Sequence, residues 1–225
     1  MKKYHNSKKP EQETTKAPPA MKTATTAKPE FVKDLVFENG AIYTGYVLND
    51  QRHGTGIQKW SDGAQYDGEW KYNKANGKGT FYHADGDVYE GDWVDDKATG
   101  QGEYTHTNGA KYSGGWLDDF QEGYGVETWQ DGSKYEGHYK QGMKHGQGLY
   151  EWNDGSYYEG AWLDNKISGF GRYSWPDGRE YQGDWLENNM HGKGKYTWKD
   201  GRCYEGQYVN DKKQGFGTYT WADGR

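Results

Sequence analysis

Residues 158–180 read YEGAWLDNKISGFGRYSWPDGRE, and at Tyr181 the pattern begins again. Tyr158 is followed by Gly160 and Trp162, then by Gly169 and Gly171, then by Tyr173 and Trp175, and Asp177-Gly178 closes the unit. In both directions tyrosines recur every 23 residues, at Tyr43, Tyr66, Tyr89, Tyr112, Tyr135, Tyr158, Tyr181 and Tyr204, without insertion or deletion. All 11 tryptophans fall in two columns of this register and 32 of the 35 glycines in four. The chain is therefore an array of eight units and not an ordinary globular enzyme.

Within a unit, Tyr-x-Gly-x-Trp and Gly-x-Tyr-x-Trp both alternate with a period of two, so each unit predicts two short strands. The Asp-Gly dipeptide is a hairpin signal, because glycine accepts a positive φ and aspartate supports the turn. For Tyr173 and Trp175 to share a face with Tyr181, the connection must hold an odd number of residues. Pro176-Asp177-Gly178 suits a type I turn with proline first and glycine in the left-handed position. Carried through the longer connection, the same register places Trp162 opposite Gly171 and Gly160 opposite Tyr173. Each large ring then covers a residue without a side chain, which offsets the weakness of glycine in a strand. Stacked, these hairpins predict an all-β fold: an elongated, twisted, single-layer antiparallel sheet of roughly 17 strands, about 80 Å long at about 4.8 Å per strand. Such an array is stabilised between nearest neighbours.

Composition agrees with an aromatic layer in place of an aliphatic core. Mean hydropathy is -1.31, yet 17% of residues are aromatic, far above what a disordered chain carries. Residues 1–33 differ: eight lysines, three glutamates and four of the five prolines predict a disordered tail of charge +5. Since the whole chain carries -6, the remaining residues carry -11. Residues 34–42 form a half unit, with Leu35 and Phe37 as its aromatic pair and Asn39-Gly40 as its turn, and eight units fill 43–225. The single cysteine, Cys203, permits no internal disulfide and favours a reducing compartment. No stretch approaches the ~20 apolar residues of a membrane span, the N-terminus has no apolar signal segment, and a Met-Lys start excludes the usual myristoyl acceptor.

Units such as Tyr89-Glu90-Gly91-Asp92-Trp93, Tyr158-Glu159-Gly160-Ala161-Trp162 and Tyr204 through Tyr219 resemble MORN (membrane occupation and recognition nexus) repeats, whose pattern is approximately YEGxWxxGxxxGxGxxxxxDG. The resemblance covers residues 35–225. It implies twisted β-hairpin arrays that serve as scaffolds, dimerisation modules, and peptide or membrane contacts. Departures lie near the N-terminal end, where Tyr46 comes one place early with Val47 in the tryptophan column, and His83 and His106 replace tryptophan.

The same spacing argues against several chemistries. The Gly-x-Gly pairs lack the following helix that a dinucleotide fingerprint needs. His53, His145 and His191 share one column, but equivalent residues of adjacent units lie about 9.6 Å apart, whereas zinc ligands sit ~2 Å from one ion. The column Asp62, Asp85, Asp131, Asp154, Asp177, Asp200 and Asp223 is a ladder of turn formers, not one calcium loop. Asp95-Asp96 and Asp118-Asp119 read as a solvated edge in the longer loops; no cleft with a general acid and base is indicated. No nucleophile constellation is present, and no cofactor, metal or catalytic residue is expected. Aromatic columns also stack bases in single-strand binders, but those rings are flanked by cations, so an array of -11 predicts no nucleic-acid partner.

Three functional classes follow. The first is a non-catalytic cytoplasmic scaffold that binds a helix or extended segment of a partner protein through its aromatic face or groove. Tyrosine and tryptophan are frequent binding hot spots, and the candidate face is Tyr135, Trp152, Tyr158, Trp162, Trp175, Tyr181, Trp185 and Trp198. The resemblance places such a scaffold in a cytoskeletal, ciliary or membrane-adjacent assembly. The second class is a phospholipid-surface module, for which Lys2, Lys3, Lys8 and Lys9 offer about 1 kcal/mol each near anionic lipid. The third is the regulatory segment of an enzyme, since similar repeats precede catalytic regions in some phosphatidylinositol phosphate kinases and lysine methyltransferases; no catalytic segment is read in the sequence to Arg225. The strand holding Tyr219 and Trp221 predicts an open edge, to be covered by a partner, by a second copy in a homodimer, or by further units of a longer array.

Overall fold

The computed structural model describes residues 28–225. These residues form 17 strands in one antiparallel sheet, each strand pairing with its neighbours in sequence, from β1 (Glu30–Val36) to β17 (Lys212–Thr220). After β1, strands of seven and nine residues alternate, as in β12 (Tyr157–Leu163) and β13 (Lys166–Ser174) of the unit at Tyr158; β14 (Glu180–Leu186) opens the next unit. β1 and β17 each have a partner on one side only.

β1 begins at Glu30, so residues 30–33, expected in the tail, belong to the sheet. The cause is the alternation of Phe31 and Val32: Val32 pairs with Gly45 and packs against the aromatic layer. Beyond β1 the Gly40 N–H donates to the Phe37 carbonyl across the turn at 2.9 Å.

The three-residue turn is as the sequence predicts. Trp175 N–H donates to the Arg179 carbonyl at 2.9 Å, Gly178 N–H donates to the Trp175 carbonyl at 3.0 Å, and Gly178 has φ 87°. The longer connection corrects the predicted register. Tyr158 faces Tyr173, Gly160 faces Gly171 and Trp162 faces Ile167, so the partner of Gly160 is displaced by two residues from the predicted Tyr173 and that of Trp162 by four from the predicted Gly171. The cause is a tight turn at Asp164-Asn165, both with positive φ (49° and 67°), which pairs Leu163 with Lys166 as a type I′ hairpin. The extra residues of the longer strand, 168–170, bulge opposite Ala161, with Gly169 at φ 104°. An even shift keeps every side chain on its face, so the predicted common face of tyrosine, tryptophan and glycine survives while the pairing does not.

Glycine faces glycine because a tyrosine ring lies across the pair. A Cβ on Gly160 would sit 2.6 Å from the Tyr158 hydroxyl oxygen, and a Cβ on Gly171 would sit 2.6 Å from a ring carbon of the same tyrosine. The ring does cover residues without side chains, but they are its own glycine two places on and that glycine's cross-strand partner. Its hydroxyl donates to the Ala161 carbonyl at 3.0 Å. Tyr43, Tyr112, Tyr135, Tyr158 and Tyr181 are all fully buried in this way.

A second correction concerns the acidic pairs. Asp95-Asp96 and Asp118-Asp119 are type I′ turns whose second residue clamps the preceding unit: the Asp96 carboxylate accepts from Ala75 N–H at 2.7 Å and Asp119 from Ala98 N–H at 2.9 Å. Asn165 does the same, accepting from Lys144 N–H at 2.9 Å while its own N–H donates to the Lys144 carbonyl at 3.0 Å. These bonds join adjacent units beside the bulge, where the regular ladder lapses.

A candidate partner-binding aromatic face

Two tiers of rings run along the array. The inner tier is made of the repeating tyrosines and the first tryptophan column. Tyr158 meets Trp162 of its own unit at 5.4 Å and Trp185 of the next at 5.7 Å, both edge to face at 84°. The Trp162 indole N–H donates to the Gly148 carbonyl at 3.2 Å, and that of Trp185 to the Gly171 carbonyl at 3.3 Å. Of the candidate residues, Tyr135, Tyr158 and Tyr181 are completely enclosed here, and Trp162 and Trp185 are 6% and 7% exposed. Burial raises the hydroxyl pKa of Tyr43, Tyr66, Tyr89, Tyr112, Tyr135, Tyr158 and Tyr181; at Tyr43 it reaches about 12, with the nearby Arg52 guanidinium opposing the rise.

The outer tier follows the three-residue turns. Trp129 meets Tyr150, and from there the rings run without a gap through Trp152, Tyr173, Trp175, Tyr196, Trp198 and Tyr219 to Trp221, with centroid separations from 4.5 to 5.6 Å. Such spacings are those of favourable aromatic pairs. The candidates Trp152, Trp175 and Trp198 stand in this tier and are half-buried, so each shows part of its ring to solvent. Sequence reasoning omitted Tyr150, Tyr173, Tyr196 and Tyr219 from the face. The alternation Gly-x-Tyr-x-Trp carried the signal, since it sets both rings on one side.

Charged groups frame the outer tier at its C-terminal end. The Arg179 guanidinium lies 5.3 Å from the Trp175 ring centre, is held by Asp177 at 2.7 Å and donates to the Tyr196 hydroxyl at 3.1 Å. Arg202 repeats the arrangement with Trp198 and Asp200. The backbone N–H and guanidinium of Arg179 hold the Asp177 carboxyl below its ordinary pKa. An open depression between these turns is lined by Asp177, Arg179, Trp198, Lys199, Asp200 and Arg202.

Elsewhere polar residues replace the rings. Glu127 occupies a tyrosine position in β9 (Phe120–Thr128) and reaches across β10 (Lys134–Lys140) to Lys144 in β11 (Met143–Glu151). The pair is buried, with a 2.8 Å ion contact, and the Tyr139 hydroxyl donates to the same Glu127 oxygen at 2.9 Å. Near the N-terminal end, Asp87 accepts from the Tyr104 hydroxyl and the Thr107 N–H and contacts His106 Nδ1 at 2.8 Å. Burial alone would raise its pKa, but these hydrogen bonds outweigh it and the pKa falls. Among the described residues no group of three or more His, Cys, Asp or Glu is placed to hold one metal ion, and no helix is long and apolar enough to cross a membrane. Lys2, Lys3, Lys8 and Lys9 lie outside the described residues.

Comparison with solved structures returns remote likenesses. The SAS-4 (dCPAP) TCP domain of Drosophila melanogaster, solved in complex with a proline-rich motif of Ana2 (dSTIL), is 11% identical; the match covers 87% of this chain and 98% of that one, with a TM-score of 0.42. A CPAP G-box domain is 13% identical over 86% and 99% of the two chains at a TM-score of 0.35. The wild-type TCP10 domain of Danio rerio CPAP is 15% identical over 82% and 98% at 0.24. None of the curated proteins compared matches the chain. The profile of the MORN repeat family matches eight consecutive segments, 43–65, 66–88, 89–111, 112–134, 135–157, 158–178, 181–201 and 204–224. With the 23-residue hairpins, the tyrosine across each glycine pair and this match along nearly the whole described span, the chain belongs to the MORN repeat family.

Proposed function

We propose that this protein is a non-catalytic scaffold that holds an extended segment of a partner protein along its outer aromatic tier, in a cytoskeletal, ciliary or membrane-adjacent assembly. The observation that carries this reading is the division of the rings: the inner tier is consumed in the sheet, whereas the outer tier is continuous from Trp129 to Trp221, half-buried as far as Tyr219 and exposed at Trp221. Spacing favours an extended occupant. One unit advances two strands, about 9.6 Å, and a polyproline-type segment advances about 9.3 Å per three-residue turn. Every third residue of such a segment would therefore meet an equivalent ring, as in other aromatic-lined grooves that take preformed extended peptides.

The test compares Trp175→Ala/Trp198→Ala with wild-type full-length protein in quantitative partner capture. At least a tenfold loss of a captured protein, with the circular dichroism spectrum retained, is expected; capture unchanged by both substitutions overturns the reading. Flotation with vesicles containing phosphatidylserine addresses the lipid alternative. Salt-resistant flotation of residues 28–225, which keep β1 whole, would favour the membrane over the protein partner.

A further inference from the structure

The residue that follows each Asp-Gly or Asn-Gly turn changes along the array, from Asp87 through Ala110, Ser133 and Ser156 to Arg179 and Arg202. Where it bonds the outer tyrosine of the next unit, it decides the direction of the hydrogen bond. Tyr104 donates to the Asp87 carboxylate at 3.0 Å. Tyr173 donates to the Ser156 hydroxyl oxygen at 3.3 Å, because the Ser156 proton goes to Asp154 at 2.6 Å. In both units the tyrosine spends its proton inside the protein. Arginine reverses the bond. A guanidinium has no acceptor to offer, so the Tyr196 hydroxyl accepts from Arg179 at 3.1 Å and keeps its own proton. Arg202 and the Tyr219 hydroxyl repeat the reversed bond at 3.4 Å.

The first of these bonds lies within the array, with the whole unit at Tyr204 beyond it. Arg179 is fixed in place by Asp177 on its Nε at 2.7 Å, by the Tyr196 hydroxyl on one terminal nitrogen, and by the Trp175 ring, whose centre is 5.3 Å away. Its other terminal nitrogen and the Tyr196 proton have no acceptor among the described residues. The carboxylate beside them is already engaged, one Asp177 oxygen by the Arg179 backbone N–H at 3.1 Å and the other by Nε. Both side chains are half-buried, so their free donors can be reached from solvent. The Tyr196 ring stands between Trp175 and Trp198, with centroid separations of 5.4 and 4.7 Å. What the tier presents here is a pair of fixed donors among rings, without a matching acceptor.

We propose that Arg179 and Tyr196 form a carbonyl-binding site, in which the guanidinium N–H and the phenol O–H donate to a backbone carbonyl of an extended, proline-bearing stretch of the bound protein segment. This deepens the scaffold reading and rests on it. Donors without free acceptors match a chain of acceptors without donors, and proline carries a carbonyl but no N–H. The extended proline conformation makes no internal hydrogen bonds, so its carbonyls are available to a partner. A carboxylate is a poorer match, since Asp177 already offsets the Arg179 charge and the array beyond residue 33 carries -11.

The probe is fluorescein-labelled octaproline, titrated with full-length protein and followed by fluorescence anisotropy. Tyr196→Phe removes the free proton and keeps the ring, a change that Phe81 in the same column shows the fold accepts. It is expected to weaken binding about fivefold, the scale of one hydrogen bond. Tyr173→Phe should bind as wild type does, because that proton is already spent on Ser156. Arg179→Ser copies Ser156, so it should weaken binding at least as much as Tyr196→Phe, and adding Tyr196→Phe to it should cost nothing further. Wild-type affinity in Tyr196→Phe, an equal loss in Tyr173→Phe, or tighter binding of octaglutamate than of octaproline overturns the proposal and leaves the scaffold reading in place. The scaffold reading fails differently: octaproline that is not bound, or is bound equally after Trp175→Ala and Trp198→Ala, removes the aromatic tier as a groove and this site with it.

Discussion

At the scale of single residues, the array is governed by what lies over each glycine. Gly171 sits beneath the Tyr158 ring against the Cα of Gly160, so even a methyl group has no space. Gly171→Ala is expected to cost roughly 1–3 kcal/mol, the scale of overpacking a tight interior, measured by urea denaturation. The tyrosines above these pairs set the response to alkali. A phenol that holds its proton more tightly when folded contributes stability below its unfolded pKa of about 10, and that contribution is lost as pH rises toward the folded value, about 12 at Tyr43 and higher at Tyr66 and Tyr158. Unfolding above pH ~10 should therefore coincide with a rise in tyrosinate absorbance. Titration of the phenols with the dichroism spectrum unchanged would contradict this.

Glu127 and Lys144 show the same logic with charge. Glu127→Gln leaves the buried ammonium group without its counter-ion and should cost roughly 3–5 kcal/mol. Glu127→Tyr with Lys144→Met copies Tyr173 and Met190 of a later unit, and should be neutral or stabilising by thermal melting. Neither residue identifies its partner in the sequence, because they stand 17 positions apart and meet only by reaching across an intervening strand. The departures from the repeat are visible in the sequence; their pairing is not.

At the scale of elements, two different turns set the hairpins. The three-residue turn was legible because parity and Pro176-Asp177-Gly178 both pointed to it. The type I′ turn was not, since Asp95-Asp96 and Asp118-Asp119 look like any acidic loop until the backbone shows positive φ at both residues. One unit departs in a useful way. It has Gln141-Gly142 at the turn, and Gly142 N–H donates to the Gln121 carbonyl at 2.9 Å, with glycine where the other units place Asp or Asn. In the clamped units the side chain matters: Asn165→Ala, which removes the acceptor of the Lys144 N–H, should lose about 1 kcal/mol, read as a lowered denaturation midpoint.

For the whole molecule, strands pair only with their neighbours in sequence and side chains reach one strand further, so stability accumulates unit by unit. A chain ending at Gly201 should keep the spectrum per residue of the full array and melt at a lower temperature. Complete unfolding on loss of that one unit would show long-range coupling that the sheet does not display. The same linearity separates the two tiers of rings. Buried rings tie one unit to the next, and half-buried rings at the turn side are left for contact with other molecules.

The sequence by itself determined the period, the two strands per unit, the odd-length turn and the face shared by tyrosine, tryptophan and glycine, because side-chain alternation and turn chemistry are local properties. Only the tertiary structure decided that glycine pairs with glycine, that Asp96 and Asn165 clamp adjacent units, and that Tyr158 is enclosed while Trp175 is reachable. An even register shift leaves every residue on its face, so alternation cannot detect it. Burial is set by neighbours one or two strands away, which the spacing of letters in the chain does not describe.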